Sequence, residues 1–387
     1  MDPDLNQPTA PDETPADLIS VEGPAGKMRD VYVLGAGFSR ALHRQMPLVS
    51  ELSQVVSGFS TSYPSSLTTS GLDSVIGKLI LRNFEEALSY LAQDKPWLDD
   101  SDNKKDEVRL LELTRNIRFA IARYQSEARR AIMSGECDWI NPLIAHWHAN
   151  RSTVITLNYD TLVEEIVEKM GTAAAKHSIP NPSSPGAFRA HPLASLRVCN
   201  ILPKTLRDAW LGSNQGGLSQ YFYNQPSFQL LKLHGSVNWV RSMNSGAHSD
   251  TISYIAASEV PIDSSNRLPQ HVADKTPYIV PPVPNKASLV KHDTLRSMWR
   301  DAADAIKRAN RIVVIGYSMP ANDTLLIQLI RGNLFCNNPE IELVNSDDSL
   351  HERVRNMFAG ETSPIAQRFS GHDAVLHFVQ AMPSACG

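Results

Sequence analysis

Cysteine is scarce and scattered. Cys137, Cys199, Cys336 and Cys386 are the four in 387 residues, and no two form a C-x-x-C pair. That usage excludes a disulfide framework and a cysteine zinc module, and it fits a reducing, cytoplasmic setting. Long apolar runs are lacking as well: nothing approaches the roughly 20 continuous apolar residues that a membrane helix needs. Positive charge is not in excess. With a formal net charge of -4, direct binding to nucleic-acid phosphates is not expected, and neither is membrane binding. The first 26 residues contain no Lys or Arg, but six acidic residues and five prolines. They have neither the charged n-region nor the apolar h-region of a secretory signal, and read as a disordered acidic tail. No internal repeat is present.

What the chain does have is a set of short apolar runs, each closed by a polar or glycine-bearing turn. "VYVL" (31–34) enters Gly35-Ala36-Gly37-Phe38-Ser39, and "TVITL" (153–157) enters Asn158-Tyr159-Asp160. "FQLLKL" (228–233) enters His234-Gly235-Ser236, "RIVVI" (311–315) enters Gly316-Tyr317-Ser318, and "IELV" (341–344) enters Asn345-Ser346-Asp347. Runs of this length and composition read as buried parallel strands. In open α/β sheets, ligands bind outside the carboxyl ends of the strands, so all five turns should face one crevice.

Between the runs the pattern turns helical. Ile76, Leu79, Ile80, Phe84, Ala87, Leu88 and Leu91 recur at spacings of three and four, and a second helix is expected over about 105–134, after the polar break "DDSDNKKDE". The 118 residues between Ser39 and Asn158 far exceed an ordinary crossover. The expected architecture is therefore an α/β, Rossmann-like parallel sheet with helices on both faces, over residues 27–380, with a helical subdomain inserted at about 64–150. Residues 171–227, rich in Pro, Ser and Asn, give no firm reading; 242–290 read as loop and short β-structure.

The glycine loop resembles a dinucleotide fingerprint with one departure. Gly35 allows a tight turn, Gly37 lets a backbone approach a pyrophosphate, and the helix start offers N–H groups and a positive dipole end. The third glycine of G-x-G-x-x-G is replaced by Arg40, which cannot imitate its close helix–strand packing. Ser39 can add a hydroxyl donor. The other turns have plainer alternatives. Asn158 and Asp160 can cap the helix that follows, His234 can be a buried histidine satisfied by backbone, Gly316-Tyr317-Ser318 can be only a turn, and Asn345 only a strand-end residue. The pair His146-x-His148 does not make a metal site, because residues two apart on a helix do not face each other and no further ligand follows at suitable spacing.

Taken in order, "GAGFS", "TLNYDTL", "KLHGSVNW" and "GYSMPANDTLL" resemble the sirtuin superfamily over about residues 28–350. They are nearer to the zinc-free bacterial sirtuin-like NADase domains of antiphage defence proteins. The resemblance implies an NAD-binding Rossmann-type fold. It implies that Gly35, Ala36, Gly37, Phe38 and Ser39 bind pyrophosphate and ribose, that Asn158 and His234 sit at the reacting ribose, and that Asp160 lies near the nicotinamide amide. Gly316, Ser318 and Asn345 would contact the adenosine half. Deacylating sirtuins carry a four-cysteine zinc module that this chain lacks, so no metal is expected and the acyl-lysine groove is in doubt.

Chemistry agrees with hydrolysis. Nicotinamide leaves as a neutral base from a cationic glycoside, so its nitrogen needs no general acid, and the ribose passes through an oxocarbenium-like state that water attacks. Asn158 suits the placing of water and ribose hydroxyls; His234 suits the base, since a histidine ordinarily titrates near pH 6.5. The expected activity is cleavage of NAD+ to nicotinamide and ADP-ribose, as an NAD-depleting effector in bacterial defence. An NAD-dependent deacylase or ADP-ribosyltransferase is the first alternative, and a subunit that senses NAD+ or ADP-ribose without turnover is the second. Family resemblance further implies control by a homo-oligomer or a separate partner subunit, such as a DNA-translocating ATPase.

Overall fold

The computed structural model describes residues 29–60, 83–176, 178–180, 188–190, 193, 227–242, 252–256, 259–262, 275–283, 293–320, 323–334, 336–360 and 363–382. The expected acidic tail, the helical positions Ile76, Leu79 and Ile80, and most of 171–227 lie outside the described residues. In chain order the strands are β1 (Arg29–Leu34), β2 (Thr153–Thr156), β3 (Ser178–Pro180), β4 (Phe188–Ala190), β5 (Gln229–Lys232), β6 (Gly235–Ser242), β7 (Ile252–Tyr254), β8 (Lys275–Ile279), β9 (Ala309–Ile315), β10 (Glu340–Val344) and β11 (Ile365–Phe369). The helices are α1 (Ala36–Leu42), α2 (Leu52–Ser60), α3 (Phe84–Leu91), α4 (Asp100–Ser134), α5 (Asn141–Asn150), α6 (Leu162–Ala175), α7 (Asp293–Lys307), α8 (Thr324–Leu334), α9 (Leu350–Met357) and α10 (Ala374–Gln380).

Six strands form one sheet in the order β11-β10-β9-β1-β2-β5, and every neighbouring pair is parallel. Counted along the chain, this is the 3-2-1-4-5-6 order of the doubly wound dinucleotide-binding fold. The chain steps outward from β1 to β2 and β5, then crosses back to lay β9 on the other side of β1. The strand order therefore reverses at the carboxyl ends of β1 and β9. Register keeps those ends level: Leu34 lies opposite both Thr156 and Ile315, Thr156 opposite Lys232, and Ile315 opposite Val344. Five turns thus leave the sheet along one edge. Strand β11 is an addition to the expected five. "IAQRF" has polar residues among its apolar ones, and the strand is only partly buried at the edge of the sheet.

The sheet is buried on both faces because alternate residues point to opposite sides. Tyr32, Leu34, Val154, Leu230, Val313 and Ile315 join one apolar cluster with residues of α1 to α6 and α10. Val31, Val33, Ile155, Leu231, Ile312 and Val314 join the other, with residues of α7, α8 and α9. The helices between β1 and β2 share their buried cluster with that face of the sheet.

Helix α4 starts earlier than expected. The polar stretch is its first two turns and not a break. Asp99 caps it by accepting from Asp102 N at 2.8 Å, and acidic residues in the first turn sit at the positive end of the helix dipole. The i,i+3 pairs Lys105–Asp102, Lys104–Glu107 and Arg109–Asp106 line the same turns. Gly135, left-handed at φ 97°, ends it. A periodicity scan sees charge here and misses the cap. A second sheet, β7-β6-β8, is antiparallel and carries the segment directly after His234. Among the described residues no helix is long and apolar enough to cross a membrane.

Candidate active site

The turns after β1 and β9 meet backbone to backbone. Gly35 N donates to Ile315 O at 3.0 Å and Gly37 N to Gly316 O at 2.8 Å, while Gly316 N donates to Val344 O at 2.8 Å. A Cβ at Gly35 would stand 2.6 Å from Tyr317 Cα, one at Gly37 2.8 Å from Gly316 Cα, and one at Gly316 2.1 Å from Phe38 N. None of these fits without moving main chain. The close approach that an ordinary fingerprint assigns to its third glycine is made here by Gly316. The amides of Gly35 and Gly37 are spent joining the two turns.

Arg40 is thereby free to point elsewhere. Its Nε donates to Met46 O at 2.5 Å and its guanidinium pairs with Glu51, whose carboxylate also accepts from Leu48 N at 3.0 Å. Residues Met46 to Ser53, apart from Glu51, form one wall of a cavity of about 630 Å3, well within the size range of small-molecule sites.

The same cavity is lined by Gly35, Ala36, Gly37, Asn158, Asp160, His234, Gly316, Ser318 and Asn345. Two of the expected contact residues do not line it. Phe38 is a core residue, 6.3 Å from Trp147 between ring centroids. Ser39 is buried, and its hydroxyl is committed: it donates to Asp160 Oδ2 at 2.7 Å and accepts from Asn158 Nδ2 at 2.9 Å. Asn158 Nδ2 also donates to Gly35 O at 2.9 Å. Because Gly35 O can only accept, the amide orientation is fixed, and both Nδ2 hydrogens are used. Asn158 Oδ1 has no partner among the described residues, so the cavity is left with an acceptor. Asp160 does cap, as its plainer reading has it: Oδ1 accepts from Leu162 N at 3.2 Å. Its other oxygen anchors Ser39.

Further residues hold these turns. Lys232, buried on β5, donates to the Asp160 carbonyl and pairs with Glu164 at 2.9 Å. Tyr159 donates to Val280 O at 2.7 Å, and its ring lies 6.3 Å from that of His234. His234 is 4 % exposed, and its carbonyl accepts from Val280 N at 2.8 Å. On the far side, Tyr317 donates to Asp323 at 2.7 Å. Burial foremost pushes the phenols of Tyr159 and Tyr317 far above their ordinary range, so both stay neutral donors. Asn345 Oδ1 accepts from Asp347 N at 3.1 Å, and Ser318 O accepts from Arg353 at 3.2 Å.

Tyr159, Tyr317, Asp323, Glu85 and the Met46–Ser53 wall also line the cavity without having stood out in the sequence. The two tyrosines sit inside turns already chosen, and Asp323 lies within "GYSMPANDTLL", so position alone could have found them. Glu85 stands in an ordinary amphipathic helix and carries no such signal. His146 and His148 lie on α5; His148 Nδ1 meets Ser227 Oγ at 2.8 Å. Among the described residues no group of three or more His, Cys, Asp or Glu comes together as a metal site.

Beneath the turn after β2, Glu165 takes Thr161 Oγ1 at 3.1 Å and Gln125 Nε2 at 3.4 Å, with Arg129 Nε at 3.2 Å. Burial, opposed by Arg129 and the Thr161 bond and aided by Glu164 and Asp160, pushes its carboxyl up from 4.5 to about 7. A raised acid binds more protons folded than unfolded, so its contribution is full below the ordinary value and is lost as pH rises to about 7. Thermal unfolding of Glu165→Gln across that window should therefore fall less with rising pH than the native protein does. Parallel curves would show that Glu165 does not titrate there.

No protein-family model matches the chain, and no curated protein matches it. Among solved structures it is similar to a Sir2 protein in complex with the inhibitor EX-527, 2'-O-acetyl-ADP-ribose and a deacetylated p53 peptide, at 14% identity over 91% of each chain, with a TM-score of 0.31. It is also similar to a sirtuin studied for substrate affinity, at 12% identity over 93% of this chain and 94% of that one, TM-score 0.34. A third is Sir2Tm bound to a propionylated peptide, at 14% identity over 91% and 90%, TM-score 0.31. At such low scores the likeness carries no weight beside the strand order itself.

Proposed function

We propose that this chain is an NAD+ glycohydrolase. The observation that carries the reading is the pairing of Asn158 and His234 on two turns of one cavity at the switch point, with the Asn158 amide locked so that Oδ1 remains an acceptor. Adenosine binding alone needs neither. The C–N bond to the pyridinium breaks with its electron pair going to nicotinamide nitrogen, and the water oxygen bonds to the ribose carbon left behind. Asn158 Oδ1 accepts from the water or a ribose hydroxyl, and His234 takes the water's proton. The products are nicotinamide and ADP-ribose. The motif resemblance further supports an NAD-depleting role in bacterial defence, held in check by self-assembly or a partner subunit.

Purified protein, assayed alone and with the products of neighbouring genes, should release nicotinamide from NAD+ in the presence of a chelator. Activity lost in chelator and restored by zinc or magnesium overturns the metal-free reading. An acetylated peptide should neither accelerate release nor be deacetylated; stoichiometric O-acetyl-ADP-ribose would instead establish a deacylase.

A further inference from the structure

Helix α4 presents Arg118, Ile121 and Gln125 on one face, at spacings of three, four and seven. Ile121 lines the cavity. The other two are buried polar side chains, one bonded to the backbone at the start of β6 just after the His234 turn and the other to the backbone after the Asn158 turn. Arg118 Nε donates to Val237 O at 2.6 Å, three residues after His234. Gln125 Oε1 accepts from Thr161 N at 2.8 Å, three residues after Asn158. The turns are also tied directly, since Val237 N donates to Tyr159 O at 2.9 Å and Ser236 Oγ to the same oxygen at 3.2 Å. The two backbone groups of Val237 are thus held by different partners, its N–H by Tyr159 and its carbonyl by Arg118.

Arg118 is an expensive residue for that task. It is 2 % exposed, its Nη2 has no partner among the described residues, and burial lowers its pKa to about 10. No carboxylate pairs with it among the described residues, so its desolvation is not offset by an ion pair. A neutral side chain would suit stability better than this cation does. What the guanidinium supplies is one fixed bond to β6 where that strand follows His234.

We propose that Arg118 and Gln125 are positioning residues, which make α4 a rigid frame setting His234 in register with Asn158. This rests on the proposed NAD+ cleavage for its catalytic consequence, but not for the geometry. A misplacement of about 1 Å can cost on the order of 100-fold in rate. Arg118→Met and Gln125→Met should each lower turnover by at least ~10-fold with little change in KM for NAD+. Because losing either clamp already breaks the register, the double variant should be little worse than the worse single. Arg118→Lys, which keeps a donor on a long stem, should recover part of the rate.

Hydrogen exchange on the full chain gives a readout independent of activity. Arg118→Met should speed exchange at 235–238 and Gln125→Met at 159–162, with α7 to α9 unchanged. Native-like exchange at those turns, full turnover, or losses that multiply in the double variant would overturn the frame. Should Arg118→Met fail to fold, Arg118→Lys and Gln125→Met are judged by the same criteria. A native protein that does not cleave NAD+ either alone or with the products of neighbouring genes refutes the enzyme reading, while the exchange comparison still decides the clamp.

Discussion

Asn158→Ala and His234→Ala should each lower NAD+ turnover by about 10²–10⁴-fold, the usual worth of a positioned acid–base group. That corresponds to roughly 2.7–5.5 kcal/mol of barrier. For His234 the loss is the proton acceptor itself. For Asn158 it is the locked acceptor Oδ1, together with donors to Gly35 O and Ser39 Oγ. Both side chains line the existing cavity, so truncation enlarges that space and leaves the apolar clusters intact. Folding stability should change by much less, on the order of 1 kcal/mol. Ser39→Ala provides the graded case. It leaves Asn158 attached to Gly35 O but removes the link to Asp160, so the rate should fall less than in Asn158→Ala. Turnover, melting temperature and NAD+ affinity measured together separate the readings. Near-normal turnover in either alanine variant would leave that residue a plainer part, a brace to Gly35 and Ser39 for Asn158 or a buried histidine for His234.

The sheet was legible because burial on both faces leaves an unmistakable mark. "TVIT" and the "IVVI" of "RIVVI" are buried at every position, and each ends abruptly where the chain meets the crevice. Edge strand β11 leaves no such mark, since no residue of "IAQRF" is fully buried. The site was legible as a set of turns and illegible as a network. Ser39, Asn158 and Asp160 lie 119 and 121 positions apart along the chain, and no local pattern states that one hydroxyl joins them. Ser39 was expected to meet the ligand; in the fold its hydroxyl joins Asn158 and Asp160, and it is these two that line the cavity. Arg40 is the reverse case. Read locally it spoils a fingerprint, yet the missing glycine's work is done by Gly316, some 280 residues away, and Arg40 supports the opposite wall. Long-range compensation of this kind has no signature at the position it rescues.

Gly316→Ala should damage the protein more than a methyl added at Gly37, Gly332 or Gly360. Two effects combine at that position. Its φ of +62° is strained for any L side chain, and its Cβ would stand 2.1 Å from Phe38 N. The first costs about 1–3 kcal/mol and forced overpacking about 1–3 kcal/mol more. The second cannot relax by rotating a side chain, because the obstacle is main chain already bonded to Gly35 O at 2.9 Å. Relief requires the β1 and β9 turns to separate, which breaks the Gly37–Gly316 bond and opens the floor of the cavity. The three other glycines isolate the terms. Gly332 lies in α8 with nothing within 4 Å of a built Cβ, and no positive φ, so Gly332→Ala should stabilise by about 0.5–1 kcal/mol. Gly360 has φ +96° and open space, so Gly360→Ala carries strain alone. Gly37→Ala carries the backbone clash alone, at 2.8 Å. Urea unfolding of the four variants should rank them Gly332, Gly360, Gly37 and Gly316, the last two also losing NAD+ affinity. If Gly316→Ala binds NAD+ normally and is no less stable than Gly360→Ala, the two turns do not meet as described, and the floor of the site is built some other way.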